Sequence, residues 1–140
     1  MPGSTRFKNR NVQLTDSRAP AILVHMESII EIDRETADAA RAFIEKVASQ
    51  YDLAGAILFG SRARKSHRPD SDADVAVLLR GRPGRFVATK LAMADLAYDV
   101  LLATGIRIQP LPIWEEEWEH PETYSNPRLL HNIAREGIRL

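Results

Sequence analysis

Two short apolar runs, Leu53–Phe59 and Val75–Leu79, flank a polar, basic segment, and their facing ends read Gly60-Ser61 and Asp72-Ala73-Asp74. The first run is bounded by Asp52 and Gly60, the mark of a buried strand that stops abruptly. The second begins as an alternating pattern at Asp72 and turns wholly apolar, so residues 72–79 read as a strand entering a core. Val75, Val77 and Leu79 would share one face, with Asp72, Asp74, Ala76 and Leu78 on the other. Between the runs, Arg62, Arg64, Lys65 and Arg68 surround His67, and Pro69-Asp70-Ser71 supplies turn chemistry. A short helical turn and loop is expected there.

The remaining periodicity frames this pair. Asp33 precedes a pattern in which Ala37, Ala40, Ile44 and Val47 recur at three- and four-residue spacing, which predicts a capped helix over 34–50. After Gly81-Arg82-Pro83-Gly84, the residues Phe86, Leu91, Ala94, Tyr98, Leu101 and Leu102 sketch a long amphipathic helix ending near Gly105. Ile106–Ile113 reads as a third strand at or near an edge, because Pro110 and Pro112 lack the N–H that a central strand needs. Trp114–His120 is an acidic helical turn stopped by Pro121, and Asn126-Pro127 opens a last helix through Glu136, with Gly137 as its stop. This order predicts an α+β fold, an α/β sandwich in which helices flank a small mixed sheet.

A length of 140 residues, 44% of them hydrophobic, fits one domain with one sizeable core. Residues 1–25 hold Arg6, Lys8, Arg10 and Arg18 against Asp16 and show no periodicity, so they read as a disordered N-terminal extension to a domain over 26–140. Met26 opens the periodic part, which raises an upstream extension created by start-site choice as a hypothesis. Nineteen basic residues balance nineteen acidic ones, so any anion site must be local. That balance, with 6% aromatic residues, argues against a nucleic-acid-binding module. The absence of Cys excludes disulfide scaffolds, thiolate metal sites and thiol nucleophiles. The longest apolar stretch, Val75–Leu79, falls far short of the roughly 20 residues of a membrane span. A soluble, cytoplasmic protein without a membrane partner is the expectation.

The chemistry resides in the two strand ends. Gly60 permits a tight turn and close approach of a ligand, while Ser61 offers a hydroxyl and an amide at the start of a helical turn, a cradle for phosphate. Asp72 and Asp74 stand two apart on a strand, so their carboxylates share a face and can hold a hard divalent cation such as Mg²⁺. The basic segment could neutralise charge developing on a leaving pyrophosphate. Taken alone, a Gly-Ser turn is common and an Asp-x-Asp at a strand mouth is commonly solvated acid. The four fixed positions together should arise by chance in only about one such chain in several hundred.

In Phe59-Gly60-Ser61-Arg62-Ala63-Arg64 and Asp70-Ser71-Asp72-Ala73-Asp74, the chain resembles the nucleotidyltransferases of the DNA polymerase beta superfamily, and among them the minimal nucleotidyltransferases. The resemblance covers roughly residues 34–138 and fits the family's Gly-Ser, ten residues, Asp-x-Asp pattern without a gap. It implies a polymerase-beta-like nucleotidyltransferase fold in which Asp72 and Asp74 bind two Mg²⁺ ions. Gly60 and Ser61 would hold the β- and γ-phosphates of ATP or another nucleoside triphosphate, with Arg64 assisting. The implied reaction is in-line attack of an acceptor hydroxyl on the α-phosphate, with pyrophosphate leaving.

The family often places a third carboxylate on the third strand, where this chain reads Ile106-Arg107-Ile108-Gln109-Pro110. If the face shared by Arg107 and Gln109 meets Asp74, a cation and an amide stand where an acid is expected. Gln109 could ligate weakly through its carbonyl but cannot take a proton at neutral pH. Asp95 and Asp99, the nearest upstream acids, have the helical context of surface residues. The resemblance also implies a partner, because minimal nucleotidyltransferases are often paired with HEPN-domain proteins in toxin–antitoxin systems, in some cases neutralising them by adding AMP to a tyrosine. Trp114, Trp118, Pro121 and Tyr124 fit either anchors for such a partner or caps of the core. The rival expectation is a catalytically degenerate protein that silences its partner by binding alone.

Overall fold

A computed structural model describes residues 32–140, which form one compact unit. The expected extension and the start of the domain at Met26 lie outside the described residues. Helix α1 (Arg34–Ala48) is capped as expected by Asp33, whose carboxylate accepts from the Thr36 N–H at 3.1 Å. It ends two residues earlier than its periodicity predicts, with Ser49 as its C-cap. Strand β1 (Leu53–Phe59), the short helix α2 (Ser61–Arg64) and strand β2 (Ala73–Leu79) follow, the last leaving Asp72 just outside the strand. Helix α3 (Phe86–Thr104) stops at Gly105, whose φ of 80° is the left-handed turn expected of a helix-ending glycine. Strand β3 (Ile108–Trp114), helix α4 (Glu115–Glu119), a 3₁₀ turn (Pro121–Thr123), helix α5 (Pro127–Glu136) and strand β4 (Ile138–Arg139) complete the chain.

The sheet order is β3-β2-β1-β4. β1 pairs antiparallel with both β2 and β4, whereas β2 and β3 run parallel, so the sheet is mixed and the α+β expectation holds. Strand β2 is covered on both faces, which is why its sequence is a continuous apolar run. On one face Val75 and Val77 join Leu58, Ile108 and the helical residues Phe43, Val47, Met93 and Val100 of α1 and α3. On the other, Ala76 and Leu78 join Ile57, Ile113 and the α5 residues Leu130 and Ile133. Each such fully buried large side chain contributes about 1.5–3 kcal/mol of transfer free energy. β3 occupies the edge that its prolines demanded.

Strand β4 is an addition that the sequence did not announce, since two residues carry no periodicity. Gly137 ends α5 as expected but does so in extended backbone (φ −74°, ψ 159°), leading the chain straight onto β1. A Cβ there would overlap the Ile57 side chain and the Ile133 carbonyl, so only glycine lets the turn pass this close. No helix among the described residues is long and apolar enough to cross a membrane.

Candidate active site

The antiparallel pairing of β1 with β2 brings the end of one against the start of the other, with Phe59 opposite Asp74. Gly60, Ser61 and Asp74 therefore meet at one end of the sheet. Gly60 adopts φ 77° and ψ −158°, a region essentially reserved for glycine. A Cβ at this position would also overlap the Asp74 carboxylate. The residue is thus fixed twice, by its dihedrals and by the acid lying over it. Ser61 opens α2, whose N–H groups from Ala63 and Arg64 both reach the Gly60 carbonyl at 3.1 Å. Lys65 closes the turn in left-handed backbone, φ 59°, and Ser66 donates back to the Ser61 carbonyl at 2.9 Å.

Asp74 is partly buried, and its carboxyl is held above the usual value, first by burial and then by the like charge of Asp72, against a lowering by Arg64. The site therefore holds two carboxylates that repel one another and a cationic side chain that only partly relieves them. The parallel register of β2 and β3 sets Gln109 beside Asp74, and the Ala73 N–H donates to the Arg107 carbonyl at 2.9 Å. Arg107 lies against Asp72, its Nε 3.8 Å from Oδ1. The third-strand face does meet the acid pair, and it brings a guanidinium and an amide. Among the described residues no group of three or more His, Asp and Glu side chains is placed to hold a metal ion. The donor set of two carboxylates, one of them pushed toward its neutral form, fits a hard divalent cation bound through oxygen, and Gln109 adds only a neutral carbonyl oxygen.

The basic segment divides sharply. Arg64 is exposed at the site and lies 3.7 Å from Glu136 at the end of α5. Glu136 is a neighbour that sequence reasoning missed, since no local pattern links it to the Gly-Ser turn. Lys65 and Arg68 are exposed. Arg62, expected among the charge-neutralising residues, is instead 2% exposed. Its Nε donates to the Ser71 carbonyl at 3.0 Å, one terminal nitrogen to the Pro69 carbonyl at 3.0 Å, and the other to Thr36 Oγ1 at 2.7 Å. It ties α1 and α2 to the loop that delivers Asp72, and that bonding removes it from contact with substrate.

His67, within the basic segment, is half-buried. Its side chain is 19% exposed, with Nε2 3.5 Å from Asp33 Oδ1 and with Nδ1 buried and unpaired. Asp33 also accepts from Thr36 Oγ1 at 2.7 Å. Burial raises the Asp33 carboxyl, but the two Thr36 bonds and the charges of His67 and Arg62 outweigh it, so its pKa is lowered. Asp95 and Asp99 are exposed on α3 as expected.

The aromatic segment resolves toward the core. Trp114 and Tyr124 are buried, and Trp118 packs against the α5 side of the sheet. The Trp114 N–H donates to Glu117 Oε1 at 3.1 Å, so one acid of this segment caps α4. On the other side of β3, a cavity of about 120 Å³ opens between Ala94, Tyr98 and Leu101 of α3 and Arg107, Gln109 and Pro110. It is smaller than the roughly 300 Å³ at which ligand pockets begin.

The match to a family model agrees with this arrangement. The nucleotidyltransferase domain family matches residues 40–132, a span that includes the Gly60-Ser61 turn, both acids and all of β3, and the chain belongs to that family. It is also similar to a crystal structure from Sulfolobus solfataricus described as a "putative nucleotidyltransferase". The two are 25% identical over 69% of this chain and 78% of that one, with a TM-score of 0.46. A comparison with curated proteins finds no match. The class is therefore that of a nucleotidyltransferase, a family that works on nucleoside triphosphates with a divalent metal.

Proposed function

We propose that the chain transfers a nucleoside monophosphate, AMP from ATP, to a hydroxyl on a partner protein, as the antitoxin-like member of a pair with a HEPN-domain protein in the cytoplasm. The observation that carries the transfer chemistry is the meeting of the Gly60-Ser61 turn with Asp72 and Asp74 at one end of the sheet. In this reading Ser61 and the turn bind the β- and γ-phosphates, and Arg64 leaves Glu136 to reach them. Bound between Asp72 and Asp74, Mg²⁺ would supply Lewis-acid stabilisation of charge on the α-phosphate. The acceptor oxygen bonds to the α-phosphorus, the bond to the β-bridging oxygen breaks, pyrophosphate leaves with that electron pair, and the hydroxyl proton passes to water. Neither Arg107 nor Gln109 can accept that proton. Residues 26–140 are proposed to form the transferase domain, with residues 1–25 an extension to it.

The test is incubation with α-³²P-labelled triphosphates and Mg²⁺, with and without the HEPN-domain partner, in wild type and Asp72→Asn/Asp74→Asn. Label reaching the partner only with both aspartates intact is the expected result. A second reading, silencing of the partner by contact alone, is favoured by the guanidinium of Arg107 standing against Asp72. It requires equal silencing by wild type and the double variant with no label transferred.

A further inference from the structure

We infer that the acid pair holds a single divalent cation, with Arg107 supplying from the protein the positive charge that a second ion would bring. The inference rests on the nucleotidyltransferase reading of Asp72 and Asp74 and goes beyond it in fixing the number of ions and the role of the third strand. Three observations converge. The register of β2 and β3 sets which residues face the acids: Asp74 pairs with Gln109, and the Ala73 bond to the Arg107 carbonyl brings Arg107 beside Asp72. Arg107 reaches Asp72 at 3.8 Å, so one of the two carboxylates that a pair of ions would have to share already has a cationic neighbour. No third His, Asp or Glu joins the pair among the described residues, and a glutamine carbonyl adds no charge.

Charge counting then decides between one ion and two. Two carboxylates and the guanidinium of Arg107 sum to a single negative charge, to which the Arg64–Glu136 pair adds none, and one dication reverses it. Without nucleotide, a second dication would enter a site already positive, beside the guanidinium of Arg107. Hard cations such as Mg²⁺ also prefer charged oxygen donors, and both available ones are committed to the first ion. Arg107 is 60% exposed, and a guanidinium has five N–H donors, so donors beyond the Nε turned toward Asp72 remain for a phosphate oxygen. Its charge would therefore act on the same anionic substrate that a second ion would have met.

The experiment counts Mn²⁺ on the full-length chain by the electron paramagnetic resonance signal of the free ion, for wild type, Asp72→Asn/Asp74→Asn, Arg107→Gln and Arg107→Gln/Gln109→Glu. Circular dichroism checks that each is folded, which the exposure of Arg107 and Gln109 favours. We expect one ion on wild type, none on the aspartate variant and two on Arg107→Gln/Gln109→Glu. The first ion should bind Arg107→Gln about fivefold more tightly, the scale of one exposed charge pair. Two ions on wild type would overturn the inference while leaving the transferase reading intact. No ion on any form would overturn both, and a double variant that still binds one would show that Arg107 and Gln109 do not set the count.

Discussion

The two flanks of the acid pair are built on different physical terms. On the β1 side, Gly60 is held by a backbone conformation that other residues reach only under strain, and the Asp74 carboxylate fills the space a Cβ would take. On the β3 side, Arg107 just before the edge strand and Gln109 on it stand in solvent, and neither is packed into a core. The first flank cannot vary without disturbing the fold, whereas the second can exchange acid for cation or amide at little structural cost.

The comparison is broken most strongly at Asp74. Asp74→Asn should lower nucleotide transfer on the order of a thousandfold, about 4 kcal/mol of transition-state stabilisation. Its effect on stability should have the opposite sign. Because the folded-state pKa of Asp74 is raised, the protonated form favours folding, and wild type loses that stability as pH rises through the raised value. Thermal melts should show Asp74→Asn above wild type at neutral pH and the two converging in acid; a lower melting temperature for Asp74→Asn at neutral pH would contradict this.

Next in size is the contrast between two arginines two residues apart. Arg62→Met strands the Pro69 and Ser71 carbonyls in a partly buried loop and should cost about 3 kcal/mol in urea unfolding. Arg64→Met should change stability by less than about 0.5 kcal/mol and show its effect in weaker triphosphate binding. Gly60→Ala is expected to destabilise by about 1–3 kcal/mol, and a neutral result would mean that the turn relaxes more readily than its geometry implies. Asp33→Ala removes a helix cap and should cost about 1 kcal/mol at neutral pH. With the Asp33 pKa lowered, that contribution exists above the unfolded value near 3.8 and fades as pH falls through the lowered one, so the two forms should converge at low pH. The smallest effect belongs to Gln109→Ala, within about 0.5 kcal/mol in the same assay.

Much of this was legible in the sequence because local signals and tertiary structure agree. The β1 run ends at Gly60 and the β2 run starts at the acids, and both strands fall where the apolar pattern put them. Asp33, Gly105 and Asn126 each act as the helix signal that they resemble. What was not legible depends on contacts between distant segments. Nothing in Arg62-Ala63-Arg64 says that one arginine faces inward; that follows from Thr36 of α1 and the Pro69–Ser71 loop closing around it. Glu136 beside Arg64 and the pairing of Ile138 with Leu58 are of the same kind. The contact of His67 with Asp33, at the start of α1, is another that no local pattern announces. The departure at β3 was readable as residues, but only the parallel register shows that Gln109 stands beside Asp74.

The most direct test of the account is a crystal structure of the full chain with Mn²⁺ and a non-hydrolysable nucleoside triphosphate, read by anomalous scattering from manganese. The account predicts a manganese peak between the Asp72 and Asp74 carboxylates, with the terminal phosphates against the Gly60-Ser61 turn and Arg64 turned toward them. A triphosphate bound away from that turn, or manganese absent from the acid pair, would contradict it.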